Sequence, residues 1–353
     1  MLGFVAFTTD VGLILLTRTQ LQATADASAL AGTMELLERS QLTGFYDSGR
    51  IINAVQTSVQ SVGASNPTGN TSMQIASADI VCGYLANPKD PNCVFATTMP
   101  YNSVRVTARR NAQTNGSVNL FFAPVIGSKT ADLQSTATAT FDGNINGFRI
   151  TDSTTQTCKL LPFVLDVNTW NQVVAGSGPD IWNYNPATRA VTKGADRIKE
   201  VKLFPFKTNS PGNFGTVNLG QTNNSTAILN RQILYGPNQG DLANMGGQIA
   251  LGSDGTLILI GNPGISAGIS SALVSIIGQP RIIVLYQPPT ALSGANAQYR
   301  IVGFAGVIIT NVQLTGLSKS VTIQPEIVKD STAYTGGPIT TNRFVYPLLK
   351  ITR

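Results

Sequence analysis

The chain has 353 residues, of which 12% are charged and 42% hydrophobic, with a formal net charge of +6 and no histidine. The absent histidine excludes every Ser-His-Asp or Cys-His triad and the HExxH zinc helix, three cysteines cannot build a four-thiolate zinc site, and neither GxxxxGK[ST] nor GxGxxG occurs. The basic residues are scattered, with no run longer than Arg109-Arg110, so no nucleic-acid partner is expected, and the composition leans toward a structural or binding protein rather than an enzyme.

The N-terminal segment is the most informative. The first sixteen residues, MLGFVAFTTDVGLILL, carry one charged side chain, Asp10. From Thr17 to Arg39 the chain is rich in Ala, Leu, Gln, Met and Glu, all helix formers, and there is no proline between Met1 and Arg39. Leu13, Leu16, Gln20, Ala23, Ala27, Leu30, Met34 and Leu37 recur at spacings of three and four, which predicts a helical seam. Ala23, Ala27 and Ala31 lie four apart, as do Ser28 and Gly32, a pattern that lets helices approach closely. Unbroken, such a helix is about 58 Å long.

Three readings compete for its apolar start: a signal peptide, a transmembrane anchor and a pilin-type helix buried in a filament core. The first lacks a basic flank and a cleavage site. For the second, the clean apolar length falls below the roughly 20 residues a span needs, unless the natural chain starts further upstream. For the third, burial of the large apolar residues supplies on the order of 15–25 kcal/mol, against several kcal/mol for one buried carboxylate. Asp10 therefore needs a partner. Arg18 of a staggered neighbouring subunit, or a neighbour's N-terminal amine, fits, and Asp10 is then expected to set register between subunits. The alternative places Asp10 among the headgroups of a membrane. The expected assembly interface comprises Leu2, Phe4, Val5, Phe7, Asp10, Val11, Leu13, Ile14, Leu16, Arg18, Ala23, Ala27 and Leu30.

Asp47–Val62 reads as a second helix, Asn66–Asn70 as a loop, and residues 104–109 and 133–141 as alternating strands with one wet face. The Asn-, Gly-, Thr- and Ser-rich stretch 143–160 marks a boundary. Beyond it the chain reads as mostly β. A hairpin is expected across Gly252-Ser253-Asp254-Gly255, with strands over 281–286, 299–313 and 321–328 and short helices near 226–234 and 266–277. The expected domains are an assembly helix over 1–40, a small α+β head over 41–145 and a β-rich surface domain over 146–353.

Asp10, Gly12, Arg18, Leu21, Gln22, Asp26, Ala27, Ala29, Leu30 and Ala31, within GFVAFTTDVGLILLTRTQLQATADASALAGTMEL, resemble the N-terminal segment of TadE/TadG-like proteins of bacterial Flp (Tad) pilus systems. Ser103–Phe141, with its LFFA element, is also similar to that family. The resemblance implies export, insertion of the first helix in a membrane before assembly, contact with inner-membrane assembly machinery, and a place in a pilus as subunit or assembly component. Pilins in general keep a glutamate at the fifth mature position, and here the acid is Asp10. The expected fold is α+β: a long pilin-like helix, a small α+β head and a larger, mostly β C-terminal domain. The expected function is an exported, non-enzymatic subunit of a surface filament, a homo-oligomer built through the helix and needing no cofactor. A membrane-anchored assembly or tethering protein and a surface adhesin are the alternatives.

In an exported protein, Cys82 and Cys93, bracketing a ten-residue loop, are expected to form a disulfide worth about 2–4 kcal/mol; two thiols are the alternative. Cys158 is expected as a buried thiol, with a bridge between subunits as the alternative. Asp142, Asn144 and Asn146 match half of a calcium loop, although Ser153 stands where the bidentate glutamate belongs. A plain turn is the preferred reading there. Asp166–Trp170 fails the DxSxS pattern of the von Willebrand A domains found in some relatives, so no metal site is carried over. Trp170, Trp182 and Tyr184 offer an aromatic sugar-binding surface, with packing in the core or between domains as the preferred reading.

Overall fold

The computed structural model describes residues 2–43, 47–90, 92–152, 156–204, 214–221, 223–262, 264–288, 297–316, 319–336 and 344–352. The fold is α+β, with a long N-terminal helix followed by mixed structure and a large β-rich C-terminal region. The chain forms two compact units. Unit 1 contains residues 1–38, 47–142 and 349–353; unit 2 contains 39–46 and 143–348.

Unit 1 is built on helix α1 (Leu2–Glu35), about 51 Å long at 1.5 Å per residue. Helix α2 (Ser48–Ser65) starts where the Asp47 carboxylate accepts the Arg50 N–H at 3.0 Å, an N-cap that satisfies one of the helix's open donors. Ile51, Val55, Val59 and Gly63 of α2 are buried at four-residue spacing, and α1 packs against α2. Both helices pack on a four-stranded antiparallel sheet ordered Ile80–Gly83, Ser103–Arg110, Leu133–Thr140 and Lys350–Ile351. Val104, Val106, Ala137 and Ala139 supply its buried face, at the period of two that a strand imposes. A small ribbon, Val118–Asn119 with Thr130–Ala131, carries the connection between the two central strands.

Unit 2 centres on a seven-stranded sheet ordered 201–203, 320–325, 297–313, 257–262, 214–217, 160–166 and 281–286. Arg281–Tyr286 pairs parallel with 160–166 and antiparallel with 297–313, which closes five strands into a ring. The strand at 160–166 is buried on both faces. Leu161, Phe163 and Leu165 enter one hydrophobic cluster while Leu160 and Val164 enter another, as alternation of side chains requires. The first cluster is covered by α3 (Val167–Val174), α4 (Thr226–Tyr235), α5 (Gln239–Ala243) being absent from it, and α6 (Ser270–Ser275), through Trp170, Leu229, Ile233, Ala272 and Leu273.

The expected hairpin at 248–260 does not form. The turn itself closes, with the Gly255 N–H donating to Gly252 O at 2.9 Å. Its arms then part: Ile249–Ala250 pairs with Ile145–Phe148, and Leu257–Asn262 pairs within the large sheet.

Candidate assembly interface

Helix α1 carries apolar residues on more than one side but buries only one. Thr17, Leu21, Thr24, Ala25, Ser28, Ala29, Gly32, Thr33 and Leu36 are buried, recurring at three and four residues. Apart from Leu21 and Leu36 this inner face is made of small and hydroxylated side chains, so the backbone lies close to its neighbours. The Thr24 hydroxyl donates to Gln20 O and Asn66 O, both at 3.0 Å, and the Thr33 hydroxyl to Ala29 O at 2.7 Å and Ala139 O at 3.2 Å. A Cβ at Gly32 would fall 2.6 Å from Val59 Cγ2 and 3.3 Å from Val104 Cγ1. Gly32→Leu is therefore expected to destabilise unit 1 by about 2 kcal/mol, overpacking outweighing the roughly 1 kcal/mol gained in helix propensity. Hydrogen exchange of the α1 and α2 amides reads this, and unchanged protection would refute the close fit.

The sequence-derived seam lies on the opposite face. Leu16 and Ala23 are exposed, Leu16 at 57%, and Leu13, Ala27 and Leu30 are half-buried. Met34 at its far end is also exposed. Val11 and Ile14 are half-buried, and Phe7 and Arg18 exposed. Leu2, Phe4 and Val5 lie in the first turns of α1, where the backbone alone is described. The molecule's own sheet and α2 cover one side and leave the seam partly exposed, an apolar stripe interrupted at Gln20, whose side chain accepts the Gly69 N–H.

Asp10, expected to need a partner, has one within its own chain, which the sequence did not point to. The ribbon at 118–131 delivers the loop Leu120–Lys129, and the Asp10 carboxylate accepts the backbone N–H groups of Phe121, Phe122 and Ala123 at 2.8, 2.9 and 2.7 Å. These are open donors at the start of the short 3-10 helix Ala123–Ile126. Desolvation pushes the carboxyl upward, but the bonds from Phe121, Ala123 and Phe122 together hold it below its ordinary 3.8. The sign follows. A carboxylate with a depressed pKa in the folded state holds the loop at any pH above its ordinary value, and releases it as pH falls through the depressed one. The amide resonances of residues 121–123 are therefore expected to titrate together, with a midpoint below that of an ordinary aspartate. A midpoint at or above the ordinary value would refute the capture.

Captured this way, the loop presents Phe121, Phe122, Val125 and Ile126 outward; Val125 is 89% exposed. Sequence reasoning noted the LFFA element only as a resemblance and did not place it beside Asp10. The legible signal was a charge-free apolar run, Leu120–Gly127, between two short β segments.

Residues 1–35 match the Tad family model, Flp pilus-assembly TadE/G-like. The match covers α1 and supports a protein associated with Flp pilus assembly in the cell envelope or at its surface. No curated protein and no solved structure matches the chain. Among the described residues, no helix is long and apolar enough to cross a membrane.

The remaining sites fare differently. Cys82 and Cys93 are not bonded to each other. Cys82 is buried in the Ile80–Gly83 strand opposite Val104, while the Cys93 sulfur turns into its own loop and accepts the Asn87 N–H at 3.4 Å. Burial pushes the Cys82 thiol up to about 11 and the Cys158 thiol to about 12. The calcium candidate runs into the strand Ile145–Phe148. Ile145–Phe148 pairs with 249–250 on one side and 333–335 on the other, and the backbone carbonyls of Asn144 and Asn146 accept from Gly336 N at 3.1 Å and Leu251 N at 2.9 Å. Asp142 precedes that strand, and among the described residues no group of three or more His, Cys, Asp or Glu is placed to hold a metal. Asp166 caps α3, accepting Asn168 N at 2.8 Å and the Thr169 hydroxyl at 3.1 Å. Trp170 and Tyr184 are buried, Trp170 stacking edge-on with Phe344 at 6.2 Å. Trp182 is half-buried, so of the three aromatics it alone keeps an accessible face.

Proposed function

We propose that this chain is an exported structural subunit of a pilus-like surface filament, polymerising through the outer face of α1 while the globular units form the shell. The observation that supports this most is the seam Leu13, Leu16, Ala23, Ala27 and Leu30, exposed at Leu16 and Ala23 and half-buried at the other three. A folded chain that leaves such a stripe in water gains free energy by covering it, and small residues at four-residue spacing admit a second helix closely. The role requires geometry and burial, not catalysis, and it fits the match to a Flp pilus-assembly family model over these same residues. A Tad-type membrane-anchored assembly or tethering protein is the second reading, favoured by exposed apolar side chains beyond the seam, at Phe7 and Leu15. Electron microscopy of sheared surface material, with mass spectrometry, separates the two. Filaments that contain this chain as a repeating subunit are expected. Exclusive recovery from the detergent-soluble membrane fraction would overturn the filament reading in favour of the anchor.

A further inference from the structure

We propose that the Phe121–Ile126 loop is a lipid-contacting tip that enters the surface of an anionic bilayer beside the apolar first turns of α1. The inference is independent of whether the chain polymerises. It starts from exposure: Phe121, Phe122, Val125 and Ile126 are 71%, 45%, 89% and 81% exposed on a single short loop. A loop in water has no need to satisfy its own backbone, because water does so. This one does. Phe121, Phe122 and Ala123 donate to Asp10. Leu120 donates to Lys129 O, Val125 to Phe122 O, Gly127 to Pro124 O and Ser128 to Ala123 O, and Pro124 has no N–H. Internal pairing of this kind is what an apolar medium demands, since each unpaired group there costs several kcal/mol.

Charge points to the same occupant. Asp10 is the one charged side chain among residues 1–17, and it is 5% exposed with three N–H donors on its oxygens. Leu120–Ser128 carries no charge. The next charges met along the helix and along the loop are both cations, Arg18 and Lys129, and both are exposed. Asp132 lies farther along the ribbon, accepting the Ser117 hydroxyl at 2.5 Å. An uncharged apolar end bordered by lysine and arginine matches acyl chains bordered by lipid phosphates. Bulky Phe, Val and Ile side chains enter lipid without needing a complementary groove, whereas a second copy of the chain would have to supply one.

The full chain, with Cys93 replaced by serine, is reconstituted into vesicles of phosphatidylethanolamine and phosphatidylglycerol. An environment-sensitive fluorophore is attached through Val125→Cys or, as control, through Val94→Cys, which is 79% exposed on another loop of the same unit. The buried Cys82 and Cys158 remain unlabelled at neutral pH. Brominated lipids are expected to quench the probe at 125 and leave the probe at 94 untouched. Equal quenching at both positions, or at neither, overturns the proposal. So does self-quenching between probes at 125 that is insensitive to brominated lipid, because the occupant is then a second copy. Quenching that persists undiminished in purely zwitterionic vesicles overturns the anionic requirement.

Discussion

Leu16→Glu combined with Ala23→Glu is expected to abolish self-association at concentrations where the native chain assembles, while leaving the fold intact. Both positions are exposed in the folded chain, and substitutions at exposed positions usually change stability by less than about 0.5 kcal/mol. In an assembly they are covered. Loss of apolar burial at Leu16 forfeits on the order of 1–2 kcal/mol, and each carboxylate adds a desolvation cost of several kcal/mol unless the partner supplies a cation. Even a total of about 3 kcal/mol weakens each contact roughly 100-fold. Sedimentation of the native and doubly substituted chains measures the effect, with hydrogen exchange as the check on folding. Leu21→Glu is the matched control. It places the same charge on the inner face, at a fully buried position, and is expected to disrupt unit 1 itself. If the double variant assembled normally, the seam would not be the contact surface.

The seam was legible because helical periodicity survives any tertiary context: the 13–37 pattern needs only the 3.6-residue turn. What periodicity does not reveal is which side faces inward. The large residues of α1 would ordinarily be assigned to the molecule's own core, yet apart from Leu21 and Leu36 its inner face is built from small and hydroxylated residues, Thr17, Thr24, Ser28, Gly32 and Thr33 among them. Close approach to Val59 and Val104 selects small side chains there, and the threonine hydroxyls find carbonyls to bind. The strands at 103–110 and 133–140 were legible from alternation, and α2 from its Ile51, Val55, Val59 spacing.

Long-range pairing was not legible. The arms flanking Gly252–Gly255 carry a local hairpin signal, but each finds a better partner far away in sequence, at 145–148 and at 297–301. Asp10 is the sharpest case. A carboxylate in an apolar helix announces that it needs a donor, and the nearest cation in sequence, Arg18, invites an ion pair. Three backbone N–H groups more than a hundred residues away satisfy it instead, and nothing in a sequence marks an N–H group as open. Equally hidden is the passage of residues 39–46 into unit 2 before the chain returns to unit 1 at residue 47.

That passage carries the largest expected effect on stability. Arg39, in the turn Arg39–Thr43, donates through Nε to Glu326 Oε2 at 2.8 Å and through Nη1 to Tyr184 O at 3.1 Å, with Asp196 Oδ2 at 3.5 Å from Nη2. Its guanidinium also lies over the Tyr184 ring, 5.1 Å from the centroid. The two acid side chains are nearly enclosed, at 5% and 9% exposure. Asp196 keeps the Tyr184 and Ile198 N–H groups and the Gln324 amide as further donors, whereas Glu326 keeps the Ile327 N–H at 3.0 Å, so Glu326 depends on Arg39 more heavily. Burial pushes the Glu326 carboxyl above its ordinary value, and Arg39 offsets only part of that. Arg39→Met is therefore expected to destabilise unit 2 by about 3 kcal/mol, the usual cost of stranding a buried partner. Urea denaturation followed by Trp170 and Trp182 fluorescence reads this, since both tryptophans lie in unit 2. The pH dependence tests the cause. Without the guanidinium the Glu326 pKa rises further, so the penalty is full above that folded-state value and fades as pH falls toward the carboxyl's ordinary value, where the side chain enters the fold protonated. The deficit is thus expected to shrink on mild acidification, and Glu326→Gln in the Arg39→Met background is expected to recover most of the loss at neutral pH. A deficit equal at both pH values, and untouched by the second substitution, would place the cause in lost packing of the arginine stem rather than in the stranded charge.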